Sequence, residues 1–137
     1  MSRTIAVIDD DASVRKAFSR LLHAAGFEVV ACASGEEFLA LIRSVPLPDC
    51  AVLDMHMPGL SGLELQSRLS ALGICIPLIV ITADGELLAQ REFMEPEAVA
   101  YLRKPVDGPV LLEYIGRATK LTQKSAQPAV RRAANAR

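Results

Sequence analysis

The sequence predicts an α/β fold in which five parallel strands, in the order 2-1-3-4-5, are doubly wound by five helices. Three observations point to it. Short apolar runs alternate with stretches of helical period along the chain, the pattern of successive right-handed βαβ crossovers. The strand runs are continuously apolar rather than alternating, as expected when helices cover both faces of a sheet. Polar residues follow these runs closely, at the edge where open parallel sheets collect function.

Each element can be justified in turn. Ile5-Ala6-Val7-Ile8 reads as a buried strand that stops at Asp9-Asp10-Asp11. From Ser13 onward, Val14, Ala17, Phe18, Leu21, Leu22 and Ala25 recur at steps of three and four, one helical face. Gly26 is the expected stop. A second strand covers Phe27 to Ala31. Ser34-Gly35 opens a helix with Phe38, Leu39 and Ile42 inward, ended by Pro46 and Pro48. Cys50-Ala51-Val52-Leu53 is the third strand, and Pro58-Gly59 a turn. Ser61 with Glu64 has the capping-box spacing, and Leu65, Leu69 and Leu72 continue that helix. Pro77 to Ile81 is the fourth strand, followed by a polar fourth helix from about Gly85 to Met94. Val99-Ala100-Tyr101-Leu102 is the fifth strand, ending at Arg103-Lys104-Pro105. A last helix from about Gly108 to Leu121 turns Val110, Leu111, Tyr114, Ile115 and Ala118 inward.

Composition bounds the function classes. With 137 residues, 51% of them hydrophobic, the chain suits one core of the common size, about 100–150 residues. Residues 1–121 form the expected domain and 122–137 a flexible basic tail or the start of a linker. No apolar run approaches the roughly 20 residues that cross a bilayer. No secretory signal is read either, so a cytoplasmic protein is expected. Cys32, Cys50 and Cys75 contain no C-x-x-C pair and are read as small buried thiols. The net charge of −1 hides an asymmetry: four of the 15 bases and none of the 16 acids follow Leu121, so residues 1–121 carry −5. Direct nucleic-acid binding is therefore not expected, since phosphate neutralisation needs clustered Lys and Arg.

The strand ends deliver a chemically coherent set. Asp9, Asp10 and Asp11 follow the first strand, Asp54 the third, Thr82 the fourth and Lys104 the fifth. Crowded carboxylates need a counter-charge to stay ionised. A hard cation such as Mg²⁺, with oxygen ligands, relieves the repulsion. One carboxylate could then attack phosphorus as a nucleophile, while Thr82 and Lys104 bind phosphoryl oxygens. Asp11 also suits helix entry at the positive dipole end, and His23 the negative end of the same helix.

Val7-Ile8-Asp9-Asp10-Asp11, Leu53-Asp54-Met55-His56-Met57-Pro58-Gly59-Leu60-Ser61-Gly62, Ile81-Thr82-Ala83 and Tyr101-Leu102-Arg103-Lys104-Pro105 resemble the receiver domain of two-component response regulators, a CheY-like fold. The resemblance spans about residues 4–121. It implies that Asp54 is the phospho-acceptor, fed by a sensor histidine kinase or a phosphotransfer protein. It implies that Asp9, Asp10, Asp54 and the backbone carbonyl of His56 hold Mg²⁺, that Thr82 and Lys104 contact the phosphoryl group, and that a cis bond precedes Pro105. Thr82 and Tyr101 become switch residues. The face of the fourth helix, fifth strand and fifth helix becomes the place for homodimer or partner contacts, with no membrane involved. His56 and Asp84, each two residues past a key group, flank the path of the hydrolytic water and are expected to set the lifetime of the phosphorylated state.

Departures and rivals sharpen the reading. Met94-Glu95-Pro96-Glu97-Ala98 stands where relatives often carry Lys-Ala-Gly, and Pro96 ends the fourth helix by about Met94. A haloacid-dehalogenase-type phosphatase would carry D-x-D where this chain has Asp54-Met55-His56. A pseudo-receiver would lack the acidic pair, the acceptor or the lysine. The receiver part of a longer DNA-binding transcriptional regulator is the alternative context. The expectation is a signalling domain rather than an enzyme, with only self-catalysed phosphotransfer and autodephosphorylation.

Overall fold

A computed structural model describes residues 3–83 and 98–126. The predicted fourth helix, Asp84, Met94, the Glu95-Pro96-Glu97 turn and residues 127–137 lie outside the described residues. The elements run β1 (Thr4–Ile8), α1 (Ala12–Ala24), β2 (Glu28–Cys32), α2 (Gly35–Leu41), β3 (Cys50–Asp54), α3 (Gly62–Ala71), β4 (Leu78–Thr82), β5 (Ala98–Arg103) and α4 (Gly108–Ala126). The strands make one parallel sheet, as the alternation of apolar runs and helical stretches predicts, in the order β2-β1-β3-β4-β5 that the receiver resemblance implies.

Strand periodicity sorts the apolar runs into two cores, because successive side chains point to opposite faces. Ala6, Ile8, Ala51, Leu53, Leu78 and Val80 face α2 and α3, where Phe38, Leu65 and Leu69 are buried. Ile5, Val7, Cys50, Val52, Ile79 and Ile81 face α1 and α4, meeting Leu22, Leu111, Ile115 and Ala118. Central strands buried on both sides hold Asp9, Asp54 and Thr82 rigidly at their carboxyl ends.

Local chemistry sets the element ends. Asp11 caps α1, its Oδ1 accepting from the Ser13 N–H at 2.8 Å, and His23 lies in the last turn. Gly26 follows with φ +94, a conformation that L side chains rarely adopt. Ser61 and Glu64 complete the expected capping box at α3, with bonds of 3.2 and 2.9 Å.

Five expectations fail for physical reasons. Leu72 is 63% exposed: it is the C-cap of α3, and Gly73, at φ +74, reverses the chain there. Val110 is exposed because the buried stripe of α4 runs through Leu111, Ile115, Ala118 and Thr119, a 3.6-residue period that leaves Val110 outside. Ala17 and Ala25 border the α1 stripe, which is carried by Phe18, Leu21 and Leu22, and are exposed. Cys75 is exposed, unlike Cys32 and Cys50, since the segment entering β4 turns the neighbouring Ile76 inward. Finally, α4 continues past Leu121 to Ala126; no Gly or Pro interrupts the sequence between Gly116 and Pro128.

Candidate functional site

Strand register assembles the site. β1 and β3 pair Ile8 with Leu53, so the next residues, Asp9 and Asp54, emerge side by side. β3 pairs Asp54 with Ile81 of β4, and the Met55 N–H donates to the Ile81 carbonyl at 2.8 Å. β4 pairs Thr82 with Arg103 of β5, and the Lys104 N–H donates to the Thr82 carbonyl at 2.9 Å. A one-residue slip in any ladder would move these groups to the other face.

The outcome is a compact acidic cluster with one ammonium beside it. Carboxylate oxygens of Asp9, Asp10 and Asp54 all lie within 4.8 Å of one another. Asp9 and Asp54 are buried and Asp10 is exposed. Lys104 Nζ stands 3.6 Å from Asp54 Oδ2. Asp54 Oδ1 accepts from the His56 N–H at 3.2 Å, while the His56 side chain is exposed. Thr82 is fully buried at the end of β4. Tyr101 is half-buried and packs against the core that contains Met55 and Met57. The Lys104–Pro105 bond is cis, as expected. The site residues expected from the sequence thus stand on one edge, apart from Tyr101, which pairs with Val80 inside the sheet, and Asp84, which lies outside the described residues.

Asp9 is held from three directions. Its N–H donates to the Cys32 carbonyl at 3.1 Å, its Oδ1 accepts from the Asp11 N–H at 2.9 Å, and its carbonyl accepts from the Arg15 guanidinium at 2.8 Å. Burial pushes the Asp9 carboxyl above its ordinary value; the Asp11 N–H opposes this, the charge of Asp54 adds to the rise, Lys104 opposes it, and Asp10 adds again. The balance is upward, with burial as the largest cause.

Arg15 and Glu36 escape the sequence reading. Arg15 stands one helical turn past Asp11, a spacing that could have flagged it for the end of β1. Glu36 reaches the loop after β3, where its Oε2 accepts from the Leu60 N–H at 3.1 Å. No local pattern announces that partner, although Glu37 alone satisfies the three-residue spacing from Ser34 and leaves Glu36 without a capping role. Gly62 matters for a related reason: a Cβ there would meet Leu53 Cδ1 at 2.8 Å and the Asp54 carbonyl oxygen at 2.9 Å. Only glycine lets α3 start this close to the end of β3.

This arrangement offers hard oxygen donors to a cation, a nucleophilic carboxylate and a neighbouring ammonium. Comparison with known proteins points the same way. The family model of the response regulator receiver domain matches residues 5–116. Nodulation protein W of Bradyrhizobium diazoefficiens is 39% identical over 121 residues, 86% of this chain and 52% of that protein. The transcriptional regulatory protein FixJ of Rhizobium meliloti is 38% identical over 117 residues, 85% of this chain and 57% of that protein. The structure of the response regulator StyR superimposes with a TM-score of 0.81 at 36% identity, covering 94% of this chain and 65% of StyR. The chain spans about half the length of the curated relatives it matches. On this family match, the chain belongs to the response regulator receiver domain family.

Proposed function

We propose that the chain works as a phosphorylation switch in a phosphorelay, with Asp54 accepting a phosphoryl group from a sensor histidine kinase or a phosphotransfer protein. The observation that carries this reading is the cluster of Asp9, Asp10 and Asp54 within 4.8 Å, with Lys104 Nζ 3.6 Å from Asp54 Oδ2. An Asp54 oxygen attacks the phosphorus of a phosphoimidazole. The O–P bond forms and the P–N bond breaks, and the electron pair returns to the imidazole nitrogen, which takes up a proton. The product is an acyl phosphate on Asp54.

The chain's own groups favour that step by position and charge. The His56 N–H fixes Asp54 Oδ1, and Lys104 faces Oδ2. Lys104 and the Thr82 hydroxyl would then take phosphoryl oxygens. Asp9, Asp10, Asp54 and the His56 carbonyl would hold Mg²⁺; an all-oxygen donor set of three carboxylates within 4.8 Å of one another fits a hard divalent cation. When bound, Mg²⁺ supplies the positive charge that offsets the crowded carboxylates and the incoming phosphoryl oxygens.

Phosphorylation draws Thr82 inward and repositions Tyr101, a population shift between two forms. It is read out on the face of the predicted fourth helix, β5 and α4, by a partner or a second copy. His56 and Asp84 set the lifetime of the acyl phosphate. The domain is assigned to residues 1–121, with α4 running on to Ala126 into a basic tail or the start of a linker at 122–137, and to the cytoplasm; among the described residues no helix is long and apolar enough to cross a membrane. Its chemistry is confined to self-catalysed phosphotransfer and autodephosphorylation. A second reading, favoured by the FixJ relatives named as transcriptional regulators, makes this domain the receiver of a longer DNA-binding regulator.

Incubation with Mg²⁺ and a small-molecule phosphodonor, followed by intact mass measurement, tests the proposal. The expected result is gain of one phosphoryl group that requires Mg²⁺. Failure to gain it with either a small donor or a histidine kinase would place the chain with phosphorylation-independent receivers.

A further inference from the structure

The start of α2 is docked onto the loop that follows Asp54. Glu36 lies in the first turn of α2, and its Oε2 accepts from the Leu60 N–H at 3.1 Å, 24 residues away in sequence. Two glycines permit the approach. Gly59 has φ +76 and a Cβ there would lie 2.9 Å from Glu36 Oε2, while a Cβ on Gly35 would lie 3.0 Å from Leu60 Cδ2. Glu37 is committed elsewhere: its Oε1 accepts from the Ala33 N–H, and its N–H donates to Ser34 Oγ. The other end of the loop is tied at the site, by the His56 N–H to Asp54 Oδ1 at 3.2 Å and the Gly62 N–H to the Met55 carbonyl at 3.0 Å. Residues 56–60 are therefore held between Asp54 at one end and Glu36 at the other.

We infer that Glu36 is a positioning residue for phosphoryl transfer to Asp54. By pinning Leu60 it keeps the His56–Gly59 segment in the form that holds the His56 N–H on Asp54, and with it the His56 carbonyl assigned above to Mg²⁺. The inference rests on the reading of Asp54 as acceptor and Mg²⁺ as its cation. Outer partners of this kind orient ligands they do not themselves supply, and their removal typically weakens metal binding about 10–100-fold. Glu36 is exposed, which puts the expected effect at the lower end, about 10-fold.

The test compares wild type, Glu36→Ala and Glu36→Gln by three readouts. These are amide exchange at Leu60, Mg²⁺ titration of the unphosphorylated protein followed by NMR shifts, and the rate of phosphorylation by a small donor. Glu36→Ala is expected to speed Leu60 exchange, raise the Mg²⁺ half-saturation concentration by that factor and slow phosphorylation. Glu36→Gln, which keeps a carbonyl acceptor, restores most of each. Glu36→Asp, which keeps the charge in the first turn of α2 but is one methylene too short for the Leu60 N–H, decides the matter if Glu36→Ala melts α2. It is expected to speed Leu60 exchange and to raise the Mg²⁺ half-saturation concentration by the same factor. Faster Leu60 exchange with unchanged Mg²⁺ affinity, or unchanged Leu60 exchange, would each overturn the inference. If the wild type accepts no phosphoryl group at all, the acceptor reading fails, and the Mg²⁺ titration still decides the role of Glu36.

Discussion

Asp9→Asn in Mg²⁺-free buffer is expected to stabilise the domain near neutral pH, although it alters a buried polar residue. Carboxylate oxygens of Asp9 and Asp54 lie within 4.8 Å, and both residues are at most 5% exposed. Two charges at that distance repel by about 3.5 kcal/mol at an effective dielectric constant of about 20, and by about 1 kcal/mol in water. The variant keeps an oxygen for the Asp11 N–H but loses its attraction to Lys104, which leaves a net gain of about 1–2 kcal/mol. For a chain of this size that corresponds to a rise in Tm of about 2–8 °C. The pH dependence has a definite sign. The folded-state pKa of Asp9 is raised above the ordinary 3.8, so between those two values the folded state keeps a proton that the unfolded state has lost. Stability therefore falls as pH rises through that window, and the penalty is complete above it. The advantage of Asn should be absent below pH 3.8 and full at neutral pH. Thermal unfolding by circular dichroism, in EDTA at the two pH values, measures it. Mg²⁺ should reverse the order, because a ligand at 100 times its Kd stabilises by about 2.7 kcal/mol and the variant has lost a ligand carboxylate. A variant less stable than wild type at neutral pH in EDTA would refute the reasoning.

Three further outcomes are expected. Gly62→Ala should cost about 1–3 kcal/mol by overpacking and slow phosphorylation, since its Cβ would lie 2.9 Å from the Asp54 carbonyl oxygen; urea unfolding and donor kinetics check both. Ser61→Ala should cost about 1 kcal/mol by uncapping α3, read as a lower urea midpoint at unchanged slope. An alkylating reagent should label Cys75 alone in the native protein, because burial pushes the Cys32 and Cys50 thiols up to about 11 and about 12; adducts on either buried cysteine under native conditions would contradict that.

The fold was legible because two periods suffice to describe it. Runs such as Ile5-Ala6-Val7-Ile8 are apolar at every position, which happens only when both faces of a strand are covered, and the intervening stretches carry a single apolar stripe. The positions of Asp9, Asp54, Thr82 and Lys104 follow once the strand order is known, since each stands at or just beyond a strand end. The errors share a different cause. Leu72 and Val110 are apolar residues at helix ends: Leu72 is the C-cap of α3, and Val110 lies one residue off the buried stripe that begins at Leu111. Periodicity cannot locate such an end to one residue. The reach of Arg15 to the Asp9 carbonyl and of Glu36 to the Leu60 N–H depends on tertiary packing, which no local pattern encodes. Asp11 was separable from Asp9 and Asp10 because helix entry has its own chemistry, and the Ser13 N–H on Asp11 Oδ1 is that chemistry.

The most direct test of the central claim is the intact mass of wild type and Asp54→Asn, side by side, after incubation with Mg²⁺ and a small phosphodonor. The account expects wild type to gain one phosphoryl group and Asp54→Asn to gain none. Equal gain by both proteins would contradict it.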